Sequence, residues 1–99
     1  MAQLRLAAEA EAELDDIWLY TARESGSENI ATRVIENIRR QFSILSRYPY
    51  SGRRRDDLRS GLRSFVAGNY VIIYRIQEPD TVLILHVLHG SRDIAGLLG

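Results

Sequence analysis

Two neighbouring runs in the last third of the chain, Tyr70–Ile76 and Thr81–Leu88, are dense in Val, Ile, Leu and Tyr. Branched and aromatic side chains of this kind favour a pleated backbone, and the four residues Gln77-Glu78-Pro79-Asp80 between them are turn formers. The spacing predicts two antiparallel strands joined by a hairpin around Pro79 and Asp80. A third strand, Leu62–Ala67, enters through the Gly68-Asn69 turn. The expected unit is a three-strand antiparallel meander.

Both faces of the two later strands are apolar. Leu83, Leu85 and Val87 share one face of Thr81–Leu88, and Val82, Ile84, His86 and Leu88 the other. In Tyr70–Ile76, Val71 and Ile73 oppose Tyr70, Ile72, Tyr74 and Ile76. A sheet with one wet face alternates apolar with polar residues, so this one asks for cover on both sides. The even-numbered face (Tyr74, Val82, Ile84, His86, Leu88) is expected to be open to a second chain. Either another protein or a further copy of the same chain could fill that role.

Upstream residues supply the first cover. Gln3–Ala8 reads as a short strand, with Leu4 and Leu6 on one side and Arg5 on the other. Ala10, Leu14, Ile17 and Thr21 then recur at helical spacing, extended by Trp18. Acidic residues crowd the first turns, where the helix dipole favours them. This helix is expected over about Ala8–Glu24, stopping at Ser25-Gly26. Ser25 and Ser27 are both suitable caps for a second helix, on which Ala31, Val34, Ile35, Ile38, Phe42 and Leu45 form the cleanest apolar stripe in the chain. It should end before Tyr48-Pro49, because proline disfavours helix at the residue before it. Two amphipathic helices so closely linked form an antiparallel hairpin that fits one sheet face.

The 99 residues suffice for one domain with one core, 1–99. A 45% hydrophobic and 26% charged composition is that of an ordinary globular protein. The absence of cysteine excludes a disulfide framework, a thiolate zinc site and a cysteine nucleophile, and suits a reducing cytoplasm. No run is long enough to span a bilayer and no signal-peptide profile is present, so neither a membrane partner nor a cofactor is expected. All 13 basic residues are arginine, which leaves no lysine for acid–base or Schiff-base chemistry. The zero net charge is unevenly spread, with residues 1–36 carrying −5 and the rest +5. Arg47, Arg53, Arg54, Arg55, Arg59 and Arg63 fall within seventeen residues, but Asp56 and Asp57 offset them in part. A solvated, turn-rich connection is the simpler reading of that segment.

The predicted order is strand, helix, helix, three strands. On that frame lie Leu14-Asp15-Asp16-Ile17-Trp18-Leu19-Tyr20, Phe42 with Leu45, and Pro49 through Gly52-Arg53. They are followed by Leu58, Gly61-Leu62-Arg63, Tyr70-Val71-Ile72-Ile73-Tyr74-Arg75 and Val87-Leu88-His89-Gly90-Ser91-Arg92-Asp93. In this order, and over nearly the whole chain, they resemble the ParE branch of the RelE/ParE toxin superfamily. The resemblance implies an α+β fold of order βααβββ and a type II toxin–antitoxin system toxin. It also implies a cognate ParD-like antitoxin, which would cover Val82, Ile84, His86, Leu88 and Tyr74 and form a hetero-oligomer with the toxin. ParE-like toxins poison DNA gyrase, so nucleic acid would be met only through gyrase. The implied target contacts are Arg92, Asp93, His89 and Arg63, although Arg92 and Asp93 could equally form a local salt bridge. The RelE branch instead cleaves ribosome-bound messenger RNA, and under that alternative His89, Arg63, Arg75 and Tyr74 would be the catalytic group. His86, among apolar neighbours, is better read as structural or partner-facing. A scaffold that binds antitoxin but has lost toxicity is a third possibility.

Overall fold

The computed structural model describes residues 2–98. Strand β1 (Gln3–Leu6) leads into helix α1 (Ala8–Ser25) and helix α2 (Glu28–Arg47). A single 3₁₀ turn, Pro49–Ser51, precedes the two-residue strand β2 (Arg53–Arg54). Strands β3 (Arg63–Ala67), β4 (Tyr70–Gln77) and β5 (Thr81–His89) and a short helix α3 (Ile94–Leu98) complete the chain. One five-stranded sheet has the order β1-β5-β4-β3-β2. The meander is present as expected. Sequence patterning did not reveal β2, nor the parallel pairing of β1 with β5, which runs from Gln3↔Thr81 to Leu6↔Ile84.

Local chemistry explains the helix ends. Gly26 closes α1 in the left-handed conformation (φ 68°), which costs glycine little. Ser27 is the residue that caps α2, its hydroxyl accepting the Ile30 amide at 3.2 Å. The Ser25 hydroxyl turns back and donates to the Thr21 carbonyl. Ala10, Leu14 and Ile17 of α1 and Ile38, Phe42 and Leu45 of α2 pack on Ile72, Tyr74, Val82, Ile84 and Val87. Each large side chain buried this way contributes roughly 1.5–3 kcal/mol.

The face assignment is the main correction. Tyr74, Val82 and Ile84 are fully buried beneath the helical hairpin, so they do not form an open surface. A β-bulge further breaks the two-residue period, so that His86 and Leu88 do not share the face of Val82 and Ile84. Ile73 pairs with His86 and Tyr74 with Ile84, leaving Leu85 as the extra residue. Val82 and Ile84 face the helices before the bulge, but beyond it Val87 takes that side. Leu88 is buried opposite Val71, and His86 is left at the discontinuity.

The second face is not left for another chain either. Leu58 and Leu62, from the β2–β3 connection, bury Ile73, and Ile94 and Leu98 of α3 close over them with Val71 and Leu85. The Arg59 guanidinium donates to the Leu98 carbonyl at 3.0 Å and ties loop to tail. The doubly apolar strands are therefore roofed by helices on one side and by this chain's own loop and tail on the other.

Candidate functional site: a groove between the first helix and the end of the last strand

β1 accompanies β5 only as far as Ile84, and among the described residues the rest of β5 has no strand on that side. The Glu13 carboxylate, from α1, fills the first gap. One oxygen accepts the Val87 amide at 2.8 Å and the other meets His86 Nδ1 at 3.0 Å. A carboxylate oxygen can only accept, so His86 Nδ1 carries the proton. Glu13 lies three residues after Ala10 and four before Ile17, on the stripe that faces the sheet. An acid on this apolar stripe is the sequence signal for the contact, masked by the other acids of the same helix.

Past Glu13 a groove of about 520 Å³ runs between α1 and the end of β5. Ile17, Val87 and Leu88 form its apolar floor, with Tyr20 and Leu97 on the lips and His86, His89 and Arg92 as its nitrogen-bearing groups. His89 Nδ1 accepts the Ser91 amide at 3.1 Å, which leaves the ring proton on Nε2. The ring packs edge-on against Tyr70, with centroids 5.3 Å apart. Arg92 forms no ion pair with Asp93 among the described residues. Asp93 instead accepts the Gly96 amide at 3.1 Å and starts α3.

The remaining site residues lie elsewhere. The buried Tyr74 hydroxyl donates to the Pro49 carbonyl at 2.7 Å and accepts the Gly52 amide at 2.9 Å. Burial pushes its pKa above the usual phenol value, opposed by the Gly52 bond and nearby Arg63. Arg63 donates to the Gly52 carbonyl at 2.8 Å, with its guanidinium 5.1 Å from the centre of the Tyr50 ring. Arg75 is exposed and pairs across the sheet with Leu83. His89 lies opposite Tyr70, and Tyr74 is four residues further along β4, about 13 Å at strand rise. Tyr74 and Arg75, being adjacent in a strand, point to opposite faces. Arg63 and Tyr74 are cross-strand partners that both bond Gly52, but His89 lies far along β4 from them and Arg75 points to the other face, so the four do not form one cluster. Among the described residues no cluster of three or more His, Asp or Glu is arranged to hold a metal ion.

A family model described as the ParE toxin of the type II toxin–antitoxin system parDE matches residues 4–94. The chain belongs to the ParE toxin family. It is similar to Toxin ParE1 of Caulobacter vibrioides, 33% identical over 99 residues that span the whole of both chains. It is also similar to Toxin ParE3 of the same organism, 37% identical over 76 residues, covering 77% of this chain and 75% of that one. Among solved structures, a chain of the chromosomal ParDE system from P. aeruginosa shares the fold. Its TM-score is 0.78 at 21% identity, over 90% of this chain and 96% of that one. A chain of the RelBE2 toxin–antitoxin complex from Mycobacterium tuberculosis matches at TM-score 0.59 and 28% identity, over 89% and 96%. This ParE-family toxin has the expected strand, helical hairpin and antiparallel strands in one sheet. No helix among its described residues is long and apolar enough to cross a membrane.

Proposed function

We propose that this ParE-family toxin acts by binding DNA gyrase, with no hydrolytic step of its own. We propose further that a cognate antitoxin holds it inactive by laying an apolar segment into the groove between α1 and β5. The observation that carries the first reading is the separation of His89 and Arg75 from the cross-strand pair Arg63 and Tyr74. Phosphodiester cleavage needs a base and charge-stabilising cations around one phosphate, and these residues span two faces and about 13 Å of strand. Arg92 and His89, at the rim, are the proposed gyrase contacts. Arg63 and Asp93 hold the 49–52 turn and α3, respectively.

The groove supports the antitoxin reading because it is apolar at its floor, polar at its rim and lipped by exposed Tyr20 and Leu97, the arrangement that receives an amphipathic segment. Purified toxin incubated with gyrase and relaxed plasmid tests the function. Blocked supercoiling or accumulated cleaved DNA is expected. Unimpaired gyrase together with messenger cleavage in a translation extract would overturn it in favour of the endoribonuclease reading.

A further inference from the structure

The end of the molecule beyond α2 carries a feature that neither the groove nor the proposed antitoxin contact uses. Tyr48 and Tyr50 are each 65% exposed, although tyrosine normally tucks most of its ring away. They are not loosely held. Tyr74 fastens the carbonyl and amide on either side of Tyr50, at Pro49 and Gly52, and the Ser51 amide and hydroxyl both donate to the Tyr48 carbonyl, at 3.0 and 2.7 Å. A Cβ on Gly52 would collide with the Tyr74 hydroxyl, so the chain passes as close to that phenol as a backbone can. Two aromatic faces are thus presented to solvent on a rigid turn.

Arginines surround them. Arg63 lies over the Tyr50 ring, and the β2–β3 register sets Arg54 directly across from Arg63. Like charges opposite one another destabilise a strand pair, yet this short strand brings them together. Asp56 relieves only part of the repulsion. It pairs with Arg54 at 2.8 Å while its other oxygen accepts the Gly61 amide at 3.0 Å. Arg47 and Arg53 are exposed on either side of the tyrosine turn. Residues 47–63 hold six arginines against two aspartates, a local charge of +4 in a chain of net charge zero.

We propose that this aromatic–arginine surface binds single-stranded DNA, with Tyr48 and Tyr50 stacking on bases and Arg54 and Arg63 receiving phosphates. Flat, exposed aromatic faces flanked by guanidinium groups suit unpaired bases on a polyanionic backbone. A duplex would cover its base faces, and an acidic peptide would have nothing to stack. The surface goes beyond the gyrase reading, but the choice of DNA over RNA rests on it, because gyrase opens DNA.

The test is fluorescence anisotropy with a labelled twelve-nucleotide oligothymidine, performed without gyrase, so that it passes or fails independently of any supercoiling result. Binding is expected at about 50 mM salt, weakening as salt rises. Tyr50→Ala should weaken it roughly tenfold, and Tyr48→Ala similarly. Arg54→Ala should reduce the slope of log affinity against log salt by about 0.7. Arg5→Ala, on the opposite edge strand β1 about 19 Å away at strand spacing, should change nothing. Thermal midpoints of the variants establish that each is folded. No binding at low salt would overturn the proposal. So would tighter binding of the matching duplex, of oligouridine or of polyglutamate, or an unchanged affinity in both folded tyrosine variants.

Discussion

The Tyr74 hydroxyl, 22 residues from Gly52 along the chain, accepts the Gly52 amide at 2.9 Å while donating to the Pro49 carbonyl at 2.7 Å. One phenol in the middle of β4 therefore positions the turn that follows α2. The Gly52 bond is buried and the Pro49 bond partly so, which limits water as a substitute partner.

Tyr74→Phe should accordingly lower unfolding free energy by about 1–3 kcal/mol, the usual cost of leaving buried polar groups unpaired. Urea denaturation at neutral pH measures it. The same residue predicts a pH response. Its folded pKa is raised above the ordinary value of 10.0, so the unfolded chain loses this proton first. The contribution is complete below pH 10 and is lost as pH rises through the folded value. Stability should fall more steeply above pH 10 in the wild type than in Tyr74→Phe.

Ile84→Asp should prevent folding, because its carboxylate would be buried among Val82, Ile72 and the helical hairpin. Val66→Asp, at a position 68% exposed on β3, should change stability by no more than about 0.5 kcal/mol. Far-ultraviolet circular dichroism distinguishes the two. A folded Ile84→Asp protein would contradict the observed burial.

Glu13→Ala should uncover the Val87 amide and remove the partner of His86. A loss of about 1–2 kcal/mol is expected. Amide hydrogen exchange at Val87 should quicken, with exchange in the β3–β4 pair unchanged when measured under conditions of local opening.

Arg92→Ala should leave stability within about 0.5 kcal/mol of wild type, since Arg92 makes no ion pair among the described residues. If Arg92 is a gyrase contact, inhibition of supercoiling should weaken about tenfold. Arg55→Ala, which removes a two-pronged bond to Asp57 at 3.1 Å, should leave inhibition unchanged. Equal inhibition by both variants would take Arg92 off the contact surface.

The elements with their own periodicity were legible in advance: the stripe from Ala31 to Leu45, the Gly68-Asn69 turn, and the runs that became β4 and β5. Features fixed by distant partners were not. Arg53–Arg54 forms a strand only because Arg63 and Ser64 lie opposite. β1 takes its parallel place from β5, with nothing in Gln3–Leu6 to announce it. The open face was misassigned because both faces of β4 and β5 are apolar, and hydrophobicity alone cannot say which one a helix will choose. The cover provided by Leu58, Leu62, Ile94 and Leu98 is illegible in the sequence for a related reason. Isolated leucines in turn-rich stretches have no period to detect. Of the site, His89 and Arg92 were visible as a polar ending to an apolar strand. Glu13 was hidden among the other acids of α1.

Leu85 acts as a half-step in the phase of β5. Deleting Leu85 together with the bulge would leave the later side chains facing as they do, but pairing all of β5 regularly with Leu85 retained would reverse the orientation of everything after it. Val87 would turn away from the hairpin, Leu88 would turn toward it, and the Glu13 anchor would face the wrong backbone group. The rim chemistry of this toxin therefore depends on the bulge as much as on residue identity. A relative of the same length that paired this strand without a bulge would keep His89 and Arg92 in its sequence and still aim them elsewhere.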